Sequence, residues 1–191
     1  PDEEKIYVAN VGMFEYSKIH GITKENIGEK ALKFPAYAYG SKEMIQGIEN
    51  DSLSVPALGE MNAPEAFSVF TISLKDPDHP KVIAKTKTGH LVGAKVEDIP
   101  AVGGASPNSL VATDKYAFVS NGTNDNISVI SIDTDTVEHT IYLKPDSRVR
   151  QFRGVIPFGL CLSPDQKRLY VAESGINAVA VIDVEKLEVL G

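Results

Sequence analysis

The sequence predicts an all-β fold assembled from repeated four-stranded antiparallel sheets. Three observations lead there. The letters that open the chain, "PDEEKIYVAN", return at 164–173 as "PDQKRLYVAE". Residues 107–143 and 157–190 match at a spacing of about fifty residues, with Pro107 against Pro157, Leu110 against Leu160, Val119 against Val171 and Asp133 against Asp183. Runs of about five β-branched and aromatic residues are punctuated by Pro-Asp, Asn-Gly and Ser-Gly pairs, the signature of antiparallel strands and turns.

The last unit shows the elements most plainly. "GLCLS" is a strand, "PDQK" a turn, "RLYVAE" a strand, "SGIN" a turn and "AVAVID" a strand, with "VEK" turning into "LEVL". The unit before it follows the same plan, with a two-residue insertion and a compensating deletion that bring Asp133 onto Asp183. Its runs "YAFVS" and "SVISID" have the character of strands buried between neighbouring sheets. Four strands per unit at this period describe a β-propeller blade, whereas a β-sandwich would not predict the repeated phrase.

The opening phrase then falls at a turn between first and second strands. Blade one covers 1–88, lacks its innermost strand and is interrupted by an insertion at 11–66. Blade two covers 105–143. Blade three covers 155–191 and ends on a shortened fourth strand. The expectation is about three blades of an incomplete, seven-bladed propeller with a long loop insertion. Closing a propeller takes roughly four to eight blades, so both ends should expose apolar sheet faces. Further blades of a longer chain, or copies of this one, would cover them. The start at Pro1 with no visible signal peptide fits a processed or trimmed chain.

Composition narrows the function classes. The 191 residues are 42% hydrophobic and 24% charged, which supplies a core and argues against wholesale disorder. A net charge of −7 argues against a general grip on nucleic acid or anionic membrane, so any basic site must be local. No apolar run approaches the roughly 20 residues of a membrane-spanning helix. Cys161 is the single cysteine, which excludes an internal disulfide and a thiolate zinc cage. Its apolar setting in "FGLCLS" predicts a buried structural thiol.

Surplus length lies in three connections that should emerge on one face: 11–66, 89–106 and 144–156. Loops of this length without regular structure are usually functional or disordered. The insertion carries Phe14, Tyr16, Phe34, Tyr37 and Tyr39, and a short helical candidate at "SKEMIQGI". These aromatics either anchor the insertion to the propeller or, with Tyr37 and Tyr39 as candidates, line a ligand pocket. The third connection, "KPDSRVRQFRG", places Lys144, Arg148, Arg150 and Arg153 close together. Arginine's planar fork suits phosphate or carboxylate, so an anionic small ligand or acidic partner is expected there, with His90 and Lys95 as neighbours. The bland reading is a solvated loop paired with Asp146, Glu97 or Asp98.

Other chemistry is sparse. His20, His79, His90 and His139 are isolated, without metal-ligand spacing, and His139 belongs to an exposed outer strand. Asp133 and Asp135 read as a turn rather than a calcium loop. Ser106 and Ser163 lack a nucleophile-elbow context. "AVGGAS" lacks the phosphate-binding glycine fingerprint. Asn50, Asn121 and Asn126 fit glycosylation sequons. No catalytic residue, metal ligand or cofactor can be named.

"RLYVAESGINAVAVIDVEKLEVLG" and "YAFVSNGTNDNISVISIDTDTV" resemble the YVTN-type, YncE-like propeller repeats of bacterial surface-layer and periplasmic proteins. The split first blade together with "PFGLCLSPDQKRLYVAESGINAVAVID" resembles proteins that join such a propeller to a C-terminal phosphoesterase domain. The resemblance implies a periplasmic or extracellular location, and its bacterial setting makes Asn50, Asn121 and Asn126 turn residues rather than glycan sites. With no catalytic group to name, the expectation is a non-catalytic binding or scaffold module. It leaves two alternatives: a propeller enzyme of lactonase-like type, or a propeller–phosphoesterase protein whose catalytic domain lies outside these residues.

Overall fold

A computed structural model of the chain describes residues 4–11, 23–26, 29, 41–51, 53–55, 62–96, 98–101, 103–145, 148 and 153–191. It is nearly all β. Three antiparallel sheets follow one another as propeller blades, and the ring they begin is not closed.

The first sheet has three strands: β1 (Lys5–Asn10) pairs with β4 (Ser68–Ser73), which pairs with β5 (Lys81–Lys87). Helix α1 (Lys42–Gln46) and the hairpin of β2 (Ile48–Asn50) and β3 (Leu53–Val55) lie between β1 and β4. Gly47 ends α1 at φ 79°, the left-handed stop that glycine adopts without a Cβ penalty. A hairpin of β6 (Lys95–Val96) and β7 (Ile99–Pro100) occupies the next connection. Helix α1 falls on the helical candidate "SKEMIQGI", and the hairpins β2–β3 and β6–β7 add regular structure that the sequence did not single out.

The second sheet runs β8 (Pro107–Ala112), β9 (Tyr116–Asn121), β10 (Asn126–Ser131) and β11 (Val137–Tyr142) in simple succession. The third repeats it with β12 (Pro157–Leu162), β13 (Arg168–Glu173), β14 (Ala178–Asp183) and β15 (Glu188–Val189). The repeat extends to single backbone bonds. Gly122 N–H donates to Ser106 and Ser174 N–H to Ile156; Ile132 N–H donates to Lys115 and Val184 N–H to Lys167. The residue before the third strand is left-handed in every blade: Phe67 (φ 45°), Asp125 (φ 50°) and Asn177 (φ 54°).

These bonds correct the sequence alignment. Asp135 N–H donates to Ser131 as Leu187 N–H does to Asp183, so Asp183 corresponds to Ser131, and Asp135 to Leu187. The compensating deletion that aligned Asp133 with Asp183 does not occur before the fourth strand. Asn121 and Asn126 are buried strand ends joined by a 2.8 Å side-chain bond, not turn residues. His139 is exposed on β11, as expected for an outer strand.

Burial follows from stacking. Every residue of β10 and all but one of β9 are buried, because the second blade has neighbours on both faces. One core joins Phe118, Ile127, Val129 and Ile141 to Leu169, Val171 and Ile182. A second joins Ala117, Val119 and Ile130 to Val69. The outer blades bury one face each. Register places Ile6, Val8, Phe70, Ile72 and Val82 together on the free side of the first sheet. Cys161, Tyr170 and Val181 share the free side of the third, with Ala172 and Val179.

Cys161 is accordingly exposed rather than buried. Its apolar strand would bury it only under a further sheet, and strand alternation puts it on the uncovered side. Among the described residues no helix is long and apolar enough to cross a membrane.

Candidate functional site

Three loops meet above the second blade. The connection after β5 is tied down by Gly89 N–H donating to Ser128 Oγ (3.0 Å) and His90 N–H donating to Asn124 Oδ1 (2.8 Å). Ser128 is held in turn by Asn121, whose Nδ2 donates to both Ser128 Oγ and Asn126 Oδ1. The connection after β11 is clamped by Asp125, whose carboxylate accepts from Gly154 N–H (2.7 Å) and Ile156 N–H (2.9 Å).

The clamp holds strained backbone. Ile156 has φ 51°, and a β-branched side chain in the left-handed region costs on the order of 1–3 kcal/mol. Ser174 secures the same residue through its N–H and Oγ, both donating to Ile156 O. Two glycines allow close approach here. A Cβ on Gly104 would sit about 2.0 Å from the Phe67 ring, and one on Gly175 would sit 1.8 Å from the carbonyl oxygen of Gly154. Of the two glycines in "AVGGAS", Gly104 thus serves packing against Phe67, whereas a Cβ on Gly103 would meet no atom.

These loops enclose a cleft of about 1020 Å³. Its lining takes in Tyr142, at the end of outer strand β11, and Phe158, near the start of inner strand β12 of the next blade. Among the described lining residues, Lys95, Lys144 and Arg153 are cationic and Asp125 is the sole carboxylate, both its oxygens receiving backbone N–H groups. The described part of the wall is therefore net cationic within an acidic protein. The His90 ring stacks on Tyr142 at 5.8 Å and 20°. Burial, and then the Arg153 charge, depress the His90 pKa and favour the neutral imidazole. Its Nε2 and Asn121 Oδ1 are buried without a hydrogen-bond partner among the described residues. Below the clamp, Glu173 is 6% exposed, and burial, then the Asp125 charge, raise its pKa.

Of the residues predicted to bind a ligand, Lys144 and Arg153 line the cleft, joined by the neighbours His90 and Lys95. Arg148 is exposed and is not among the lining residues. Arg150, Tyr37 and Tyr39 lie outside the described residues, as do Phe14, Tyr16 and Phe34. Sequence reasoning missed Asp125, Tyr142 and Phe158. Asp125 had a signal: it follows an Asn-Gly turn immediately before a third strand, where Asn and Asp tolerate left-handed backbone. No group of three or more His, Cys, Asp or Glu side chains able to hold a metal occurs among the described residues.

No family model matches the chain. No curated protein matches it. Among solved structures it is similar to hydrazine synthase of Kuenenia stuttgartiensis, with 24% identity, a TM-score of 0.40, and coverage of 66% of this chain and 32% of that one. It is also similar to apo AztD from Citrobacter koseri, with 10% identity, a TM-score of 0.39, and coverage of 68% and 29%. The match thus spans about a third of the length of either chain.

Proposed function

We propose that the chain is a non-catalytic binding module of an exported, YVTN-type β-propeller protein, and that its loop-rich face takes an anionic ligand. One observation carries this reading: both connecting loops and the β9–β10 turn close on a single cleft whose wall bears Lys95, Lys144 and Arg153. Charge of one sign in a concave site raises the local concentration of the opposite ion, and rigidly mounted loops supply shape. The YVTN-type assignment and the periplasmic or extracellular location rest on the repeat phrases. The free apolar faces at the two ends take further blades or a second copy of the chain, and a C-terminal phosphoesterase domain is the partner the resemblance suggests.

The test is calorimetric titration of the chain with inorganic phosphate and with citrate, compared with Lys144→Ala/Arg153→Ala. Charge-assisted hydrogen bonds contribute about 1.5–3 kcal/mol each, so affinity should fall at least about tenfold while circular dichroism is unchanged. Equal affinity in the double variant, or no binding of either anion, would remove the reading.

A further inference from the structure

The cleft has two chemistries, and the cations account for only one of them. Two of its lining residues are exposed aromatics on different blades: Tyr142 is 47% exposed and Phe158 57% exposed. Val96, Ile99 and Pro100 of the β6–β7 hairpin line it too, together with the strained Ile156. Large exposed side chains of this kind are ordinary when scattered, but here they line one concavity. The volume is also at the upper end of the roughly 300–1,000 Å³ range of small-molecule sites, far more than a compact inorganic anion fills. Across the sheet, β11 and β8 are separated by three strand spacings, about 14 Å at roughly 4.8 Å each.

We infer that the cleft selects an elongated organic anion carrying an aromatic ring, its acid group held by Lys144 and Arg153 and its ring against Tyr142 or Phe158. The inference rests on the proposed anion-binding role and adds the ring. Tyr142 is well prepared for it. His90, itself a lining residue, stacks on the Tyr142 ring, which restrains its orientation before a ligand arrives, and pre-ordered aromatic surface loses little entropy on binding. Aromatic pairs add about 0.5–1.5 kcal/mol beyond area burial, so the ring should improve affinity about two- to tenfold over the acid group alone. Charge complementarity decides the acid: the described lining residues are net cationic in a chain of net charge −7.

Three probes separate the components: 1-anilinonaphthalene-8-sulfonate, methanesulfonate, and the uncharged N-phenyl-1-naphthylamine. The full chain is titrated by calorimetry and fluorescence, beside Tyr142→Ala, Phe158→Ala and Lys144→Ala/Arg153→Ala. Because the first probe also favours apolar surfaces, Val179→Asp on the free side of the third sheet serves as control. The expected result is that the aromatic sulfonate binds at least about threefold more tightly than methanesulfonate, an advantage of the size aromatic contacts provide. One aromatic variant should remove that advantage without altering methanesulfonate binding, and the cation variant should weaken both sulfonates. Equal affinity for the two sulfonates would overturn the ring while leaving the anion role intact. Equal affinity for the charged and uncharged aromatics, indifferent to the cation variant, would overturn the anion role as well. Loss of aromatic binding in Val179→Asp alone would place the probe on the end face and overturn the inference.

Discussion

The two junctions between blades have the same geometry and different chemistry. At the junction of the second and third sheets, Leu187 occupies the turn position after the third strand and packs on an apolar core with Phe118 and Tyr116. At the junction of the first and second, the same position is Asp135. Its carboxylate accepts from Lys5 Nζ (2.9 Å), Tyr7 Oη (3.0 Å) and Thr71 Oγ1 (3.3 Å), and its carbonyl accepts from Thr86 Oγ1 (2.5 Å). Lys5 Nζ also donates to Ile132 O. Both junctions bury an apolar core, and the first adds a directional polar staple where the second has Leu187. The apolar one tolerates exchange of similar volumes; the polar one demands particular partners, which fixes how the first blade sits on the second.

The largest effect should come from the apolar junction. Phe118 is fully buried in the core shared by the second and third sheets, so Phe118→Ala removes its burial and leaves a cavity. The expected loss is about 3–5 kcal/mol by urea denaturation, a large share of a domain's stability. A loss below about 1 kcal/mol would mean that the second and third sheets do not share that core.

The polar junction should respond less, and in a different pattern. Asp135→Ala leaves the partly buried Lys5 ammonium and the Tyr7 hydroxyl without their shared acceptor, at a cost of about 2 kcal/mol. Replacing both ends, as Lys5→Met with Asp135→Leu, imitates the other junction and should recover part of that loss. Strict additivity of the two single changes in a double-mutant cycle would show that the staple carries no coupling.

This contrast also explains what the sequence could disclose. Strand identity was legible because short apolar, β-branched runs such as "YAFVS" and "AVAVID" stand between turn signals. The staple was not, because its meaning depends on register: aligned by its "ID" letters, Asp135 is an ordinary turn carboxylate, and only the bond from its N–H to Ser131 sets it opposite Leu187. Cys161 misled for a related reason, since an apolar run does not say which of its residues face a covered side. In the cleft, Lys144 and Arg153 were legible as a local excess of cation in an acidic chain. Tyr142 and Phe158 were not, because one aromatic at a strand end is unremarkable until the fold brings the outer end of one blade to the inner start of the next.

The smallest effects lie at the loop ends of the two junctions, where a titrating group stands at each with opposite sign. His90, in the loop leaving the first blade, is harder to protonate folded than unfolded, because burial and Arg153 disfavour its charge. Its contribution is complete above the ordinary value near 6.5 and is lost as pH falls below it. Glu173, beneath the loop between the second and third blades, is harder to ionise folded than unfolded, because burial and Asp125 disfavour its charge. Its contribution is complete below the ordinary value near 4.5 and is lost as pH rises through the raised folded value. Glu173→Gln should therefore melt higher than the parent at pH 7, and the gap should close by pH about 4. His90→Phe, which keeps a ring against Tyr142, should flatten the decline in melting temperature between pH about 7 and 5. Melts of the three proteins across this range decide both. A Glu173→Gln gap that persists undiminished in acid would mean that the carboxyl carries no burial penalty, and an unchanged acid slope in His90→Phe would remove His90 as its source.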